Sequence, residues 1–397
     1  MNFSRIIETI REGIFWEQVS YHIMHVWRWF KPISYFHKIQ NKKIVCSSYN
    51  GMFHADSPAL IADKLLEKDP TLDIVWLVDK RTNYTEYKGI RTVYMFSSAA
   101  LYELSTAHIW IDNMRKSLTV PKKRGQFYLQ TWHGGIPLKM IEADAADTLE
   151  ENYLNIAKND ASNTDLMLSG CRFFTGLCKT AFWYNGEVLE YGIPRDDALF
   201  HRDPEKATAL KTQLGISDDK CVILYAPTFR DNYSMGSYLS DYSGIGAAFC
   251  KVSGKQPLFL VKYHPNIRGS YDFSGEENII DMTDWSDIQE LYMVSDYLIT
   301  DYSSTMFEFA MLKKPVFLYM NDYEDYLKER KMYFSLESLP FSISFTFEEL
   351  VDAIMDSVNR DYSDAIEKFF NHIGLCETGH STEIAADYLF SIINGGI

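Results

Sequence analysis

Positive charge is the first shortage in this 397-residue chain: 39 Lys and Arg stand against 54 Asp and Glu, a formal net charge of -15. A protein that grips a nucleic-acid backbone needs the opposite balance, so no nucleic-acid partner is expected. Cysteine is sparse and unpatterned. Cys46, Cys171, Cys178, Cys221, Cys250 and Cys376 form no C-x-x-C pair and no zinc-like spacing with histidine, so no metal site is expected and a reducing cytosol fits. Long apolar runs are missing too: none approaches the ~20 residues that span a bilayer, and the opening MNFSRIIETIREG has no signal-peptide core. These absences predict a protein that stays inside the cell.

What is present is a long alternation of apolar strands and helical stretches. The chain is long enough for two domains, each with its own core. Residues 1–40 stand apart, with Ile6, Ile10, Ile14, Val19, Ile23 and Val26 in a pattern that suggests helical periodicity and Trp16, Trp29, Tyr35 and Phe36 adding aromatic surface. Such an amphipathic segment either lies on a membrane face or packs as an ordinary helix on the next domain. Strands are then predicted at Ile44–Ser47, Asp73–Asp79, Arg91–Phe96, His108–Asn113 and Gln126–Trp132, with helices after Ser57-Pro58 and through Ala99–Thr106. Another short strand lies within Ala161–Gly170, and one more opens Glu187–Phe200. This spacing argues for a parallel, doubly wound sheet.

Charged, loop-like text from His201 to Asp219 marks the boundary between an N-terminal domain, 41–205, and a C-terminal domain, 206–397. The alternation restarts with Cys221–Asp231, a Ser/Gly/Tyr-rich loop over Tyr233–Gly246, and the strand Pro257–Pro265. A helix capped by Asp284 or Ser286 follows, and the C-terminal helices include one that crosses back to the first domain.

The stretch Ser295–Asp322 organises the second half as strand, helix and strand. Asp301 to Thr305 supplies helix-capping side chains, Lys313 and Lys314 are expected in the helix's last turn, and Pro315 stops it. A serine-headed helix past a strand's carboxyl end suits phosphate. The competing reading is structural: Thr305 and Glu308 as a T-x-x-E capping box, with nothing bound.

The remaining candidates sit at other strand exits. Gln126–Trp132 delivers His133-Gly134-Gly135, whose glycines let a ligand approach the backbone. Lys262 and His264 leave a strand of the second half, as do Pro227, Thr228 and Arg230. Arg195, in a Gly-x-Pro-Arg-Asp turn, is a phosphate clamp or a surface arginine beside Asp196 and Asp197. Two αβ halves with one histidine each on the lips of a cleft are the layout of a GT-B transferase: two Rossmann-like domains, with a nucleotide diphosphate on the second and the acceptor approaching from the first. No Asp-x-Asp pair is available to hold a metal on the pyrophosphate, so helix dipoles, Arg, Lys and His are expected to offset its charge, with no cofactor.

Five ordered motifs, QTWHGGIPLK (130–139), YGIPRDD (191–197), YAPTFRD (225–231), KYHP (262–265) and ITDYSSTMFEFAMLKKP (299–315), resemble the CDP-glycerol glycerophosphotransferase family of teichoic-acid primases and polymerases. SSYNGMFHADSPALI and WIDNMR look like further first-domain segments of that family. The resemblance implies a membrane-associated GT-B enzyme, peripheral on the inner face of the cell membrane. It would move glycerol phosphate from CDP-glycerol, or ribitol phosphate from CDP-ribitol, to a lipid-linked or polymeric wall or capsule acceptor and release CMP. His133 would match the catalytic base and His264 a second essential histidine at the transferred phosphate. Trp132, Gly134, Gly135, Arg195, Pro227, Thr228, Arg230, Lys262, Ser303, Ser304 and Glu308 would match nucleotide or phosphate contacts, Glu308 holding a donor hydroxyl. One departure stands out: the common family form is His-Gly-Thr-Pro-Leu-Lys, whereas this chain reads His133-Gly134-Gly135-Ile136-Pro137-Leu138-Lys139. The alternatives are a GT-B glycosyltransferase with a nucleotide-sugar donor and a catalytically idle scaffold for wall assembly.

Overall fold

The computed structural model describes residues 36–80, 87–116, 120–201, 203–230, 235–264, 267 and 271–395; most of the amphipathic 1–40 segment lies outside them. Two parallel sheets organise the described chain. The first contains β1 (Gln40–Ser47), β2 (Asp73–Val78), β3 (Ile90–Tyr94), β4 (Ala107–Asp112), β5 (Phe127–Gln130), β6 (Leu166–Ser169) and β7 (Glu187–Glu190), in spatial order β3-β2-β1-β4-β5-β6-β7. The second contains β8 (Lys220–Tyr225), β9 (Gln256–Val261), β10 (Ile279–Asp281), β11 (Tyr297–Thr300), β12 (Val316–Tyr319) and β13 (Ser342–Ser344), in order β10-β9-β8-β11-β12-β13. Both are doubly wound Rossmann-like sheets in the GT-B arrangement. Each order reverses beside its first strand, between β1 and β4 and between β8 and β11, which is where an open α/β sheet leaves a crevice for a ligand.

The strands read as continuous apolar runs because helices cover both faces. Neighbouring residues point opposite ways, so Ile44, Ile74 and Ile109 pack toward Ile61 and Leu65 of the helix Asp56–Lys68, while Val45, Val75 and Trp110 pack toward Leu104 of the helix Ser98–Thr106. The final helix, Ser381–Ile393, returns to the first sheet and buries Ala386 and Leu389 in the same layer as Ile44. Burying one such leucine is worth roughly 1.5–3 kcal/mol, so a few residues suffice to hold the returning helix.

The two halves share one continuous core, in which Trp132, Ile136 and Leu138 belong with Met306, Phe307 and Phe309. Backbone bonds reinforce it: Met140 N donates to Lys331 O at 2.8 Å and Tyr333 N donates to Leu138 O at 2.8 Å. The loop just after His133 is thereby fastened to the second half.

Several local expectations change. The charged boundary stretch is not a loop but a helix, Pro204–Gln213, because Asp203 accepts from the Glu205 and Lys206 amides and Pro204 occupies its first turn. The end of the expected Tyr233–Gly246 loop, from Tyr242 onward, is instead the start of a helix capped by Asp241. The helix before β11 is capped by Asp287 rather than Asp284 or Ser286. The helix after β11 ends at Met311, and Lys313 lies beyond it with φ 56°. Lys314 instead donates to Tyr292 O and Ser295 O, the carbonyl end of a neighbouring helix.

Candidate active site

Strand ends from both sheets converge on one cleft of about 1110 Å³. β5 supplies Trp132, His133 and Gly134; β8 supplies Pro227, Thr228 and Arg230; β9 supplies Lys262 and His264; β11 supplies Ser303 and Ser304. Arg195 and Glu308 line the same cleft. Gly135 is the exception among the expected site residues. It packs away from the cleft, where a Cβ would come within 2.6 Å of Ile193 Cδ1, so its missing side chain serves packing and not ligand approach. Gly134 does face the opposite lip: a Cβ there would lie 3.4 Å from Ser304 Oγ.

The chain reaches His133 through a strained residue. Trp132 has φ 56°, a left-handed conformation that bulky side chains rarely adopt, and its amide donates to Gln130 Oε1 at 2.9 Å. Tyr49 and Asn50, in the turn after β1, and Asp56, at the head of the next helix, are left-handed as well. His133 Nδ1 lies 2.8 Å from Asn113 O. A carbonyl can only accept, so Nδ1 carries the proton and Nε2 keeps its lone pair. Burial pushes the His133 pKa below its ordinary value; the Asn113 bond and Asp56 oppose the shift, and Arg195 adds to it. A neutral imidazole with a fixed tautomer is the form a general base requires.

His264 is exposed on the other lip, with the Phe229 ring 5.2 Å away. The part of its ring that is desolvated against the cleft wall and the positive charges of Lys262 and Lys139 lower its pKa. Lys262 donates to the Met282 and Trp285 carbonyls, and burial lowers its pKa to about 8 against the pull of Asp284, Asp287 and Asp281. A cluster of this sign is suited to an anion. Thr228 offers a further handle: its amide donates to Asp301 at 2.8 Å, but its buried Oγ1 has no protein partner.

The two arginines are committed elsewhere. Arg195 is not a surface residue; it is 6% exposed, and its Nη1 donates to Asp56, to Tyr49 Oη at 3.0 Å and to His133 O at 3.0 Å. Its Nη2 donates to Glu308 at 3.2 Å across the two halves. Arg195 therefore anchors the His133 backbone and is not a freely placed phosphate clamp, although its Nε has no partner. Arg230 pairs with Asp301 at 2.9 Å and Asp322 at 2.6 Å, with its guanidinium 5.0 Å from the Tyr302 ring and 5.2 Å from the Tyr326 ring. It braces the Thr228 loop, its Nη1 donating to Thr228 O at 2.6 Å.

The capping box is absent. Ser304 makes no side-chain cap bond, and Glu308 is buried, its Oε2 accepting from Arg195, Gln289 and Tyr292. Burial raises the Glu308 pKa, with Arg195 opposing. Ser303 and Ser304 line the cleft; the Ser303 hydroxyl accepts a long 3.4 Å bond from the Thr305 amide at the helix start, whereas the Ser304 hydroxyl makes no cap bond.

Sequence reasoning passed over Tyr49, Asp56, Asn113, Asp301 and Asp322 as site residues. Asn113 and Asp301 follow strand ends and were findable on that ground. Asp56 was not, because its partner Arg195 lies 139 residues away.

A family model described as CDP-Glycerol:Poly(glycerophosphate) glycerophosphotransferase matches residues 29–391. The chain belongs to this glycerophosphotransferase family. Among its relatives, the teichoic acid poly(glycerol phosphate) polymerase of Bacillus subtilis (strain 168) is 33% identical over 89% of this chain, which spans about half of that relative, 49%. The polymerase of the same description from Bacillus spizizenii is 32% identical, covering 88% of this chain and 92% of its own length. Ribitol-phosphate relatives occur too, such as a B. spizizenii teichoic acid ribitol-phosphate primase, 27% identical over 92% of this chain and 95% of its own length. In solved structures, a variant of the wall teichoic acid polymerase TagF soaked with CDPG superposes with a TM-score of 0.81 at 30% identity, covering 90% of each chain. An S. aureus MnaA–UDP structure, 13% identical with TM-score 0.51 over 89% of this chain and 98% of its own, shares the fold alone.

Proposed function

We propose that this glycerophosphotransferase-family chain transfers a polyol phosphate from a CDP-activated donor, CDP-glycerol or CDP-ribitol, to an acceptor hydroxyl and releases CMP. The observation that carries the reading is His133: a base with one tautomer, between two Rossmann-like sheets and facing a cluster of Lys262, His264 and Thr228.

His133 Nε2 takes the acceptor's hydroxyl proton as the new oxygen–phosphorus bond forms. The bond from that phosphorus to the CMP oxygen breaks, and CMP leaves with the electron pair. A positioned base is worth ~10²–10⁴-fold in rate. Lys262 offsets charge on the phosphoryl oxygens, and the His264 ring N–H, Thr228 Oγ1 and the Ser303 and Ser304 hydroxyls supply neutral donors; one such fixed donor is worth about 3 kcal/mol in comparable sites. Glu308, held by three donors, acts through Arg195 more than through the donor substrate.

The acceptor class, a lipid-linked or polymeric wall chain, is supported by the printed activities of the relatives. A peripheral place on the inner membrane face is supported by the apolar pattern of residues 1–40. Among the described residues no helix is long and apolar enough to cross a membrane.

The test is donor profiling with CDP-glycerol and CDP-ribitol, reading free CMP. Release of a nucleoside diphosphate from a nucleotide sugar would instead identify a glycosyltransferase. His133→Ala should abolish turnover in a folded protein; an unchanged rate removes it from the mechanism. Liposome co-sedimentation of the full chain against a truncation lacking residues 1–40 tests the membrane reading, which equal partitioning would discard.

A further inference from the structure

Glu377 does not line the cleft, yet the fold builds a seat for its carboxyl. Between the helices Tyr362–Ile373 and Ser381–Ile393 the chain returns to the first domain, and this segment is tied down along its length. Cys376 N donates to Gly170 O at 2.8 Å, Arg172 N donates to Gly374 O at 3.0 Å, and the Ser381 and Thr382 amides donate to Asp197 at 2.9 and 2.7 Å. In the middle, both Glu377 carboxyl oxygens accept from Ile193 N, each at 3.1 Å. The seat is cut to that group. A Cβ on Gly170 or on Gly192 would strike a Glu377 oxygen, and Gly192 also has φ +105°, so space and backbone both call for glycine there.

From the seat a short relay leads to the base. Ile193 sets its Cδ1 against Gly135, two residues after His133. Arg195, two residues after Ile193, donates to His133 O at 3.0 Å. Both contacts depend on where the Ile193 backbone stands, and Glu377 holds that backbone by its amide.

We propose that Glu377 is a positioning residue for His133, holding the Ile193–Arg195 turn so that the imidazole stays in line with the hydroxyl it deprotonates. The proposal rests on reading His133 as the base of the transfer. Glu377 works uncharged. Desolvation in the seat pushes its pKa up to about 8 against the Ile193 amide, and Asp197 and Glu308 add to the rise. Asp196, fully buried with neither carboxyl oxygen partnered among the described residues, lies within range of the same charge, as do the Cys171 and Cys376 thiols with Glu190 beside them. An unfolded Glu ionises near pH ~4.3, so the cost of ionising Glu377 in the fold grows as pH rises and is complete only on the alkaline side, where the carboxylate repels Asp197 and Glu308 across the turn.

Steady-state CMP release by Glu377→Ala and Glu377→Gln tests this. At pH 7 Glu377→Ala should lose at least roughly tenfold in kcat, with the KM for CDP-glycerol within about threefold of wild type, because a misplaced base is felt in the chemical step and not in donor binding. Glu377→Gln keeps an acceptor for the Ile193 amide and cannot ionise. It should restore most of the lost rate and, at saturating donor, hold its kcat at pH 9, where the wild-type kcat has fallen. Unchanged kcat in Glu377→Ala, a Glu377→Gln as slow as Glu377→Ala, or a Glu377→Gln profile that keeps the wild-type alkaline limb each overturns the proposal; if the alanine variant does not fold, the glutamine profile decides. His133→Ala in the same assay separates the failures. An active His133→Ala removes the base and this proposal with it, whereas an inactive His133→Ala beside an unimpaired Glu377→Ala refutes the positioning role alone.

Discussion

Replacing Arg195 by Met should cost the protein about 3–5 kcal/mol near neutral pH, the range for breaking a buried ion pair from one side. The perturbation removes donors from Asp56, Tyr49, His133 O and Glu308 while keeping the apolar stem. Each charge-assisted bond is worth ~1.5–3 kcal/mol, but the loss does not sum, because a stranded carboxyl escapes part of the penalty by taking up a proton. Glu308 keeps Gln289 and Tyr292 as donors, whereas Asp56 keeps the Tyr49 hydroxyl and the Ser57 amide. The sign with pH follows from this asymmetry. Glu308 already has a raised pKa in the folded state, and removing Arg195 raises it further, so the folded variant binds protons more readily than the unfolded chain. Its deficit is then largest at alkaline pH and shrinks as pH falls toward the unfolded carboxylate range. Urea denaturation at pH 8 and pH 5, with kcat measured alongside, checks the argument; kcat should fall because Arg195 Nη1 holds the His133 carbonyl. A deficit below about 1 kcal/mol, the size of a surface pair, or one that does not change with pH, refutes the reasoning.

Three further outcomes are expected. The acid limb of kcat/KM should lie below pH 6.5, because burial lowers the His133 pKa and the base stays unprotonated further into acid; the alkaline limb for donor binding should lie near pH 8, where Lys262 loses its charge, and a pH–rate profile reads both. Thr228→Val should leave folding stability unchanged or slightly raised, since the buried hydroxyl has no protein partner, yet weaken CDP-glycerol binding by roughly 1 kcal/mol in a calorimetric titration; unchanged donor affinity would remove Thr228 from the site. Gly51→Ala should destabilise by several times the roughly 1 kcal/mol expected of Gly135→Ala in thermal or urea unfolding. At Gly51 a Cβ meets Asp79 N at 2.6 Å with φ +80°, which is immovable backbone, while at Gly135 it meets the movable end of Ile193.

Strand existence, the doubly wound class and the residues at strand exits were readable in the chain itself. Buried strands and the turns that end them are local patterns, and the exits of β5, β8, β9 and β11 carry His133, Thr228, Lys262, His264 and Ser303 in one order whatever the tertiary contacts. The motifs were enough to point to the family. What no local pattern contains is which polar groups are already satisfied. Arg195 and Arg230 read as anion clamps until the fold brings Asp56, Glu308, Asp301 and Asp322 to them from distant positions, and Glu308 reads as a helix cap until Arg195, Gln289 and Tyr292 take its oxygen. The tautomer of His133 likewise depends on the Asn113 carbonyl, 20 residues upstream and on another strand's end. Residue type sets what a side chain can do, but burial and long-range partners decide whether that capacity is still available to a substrate.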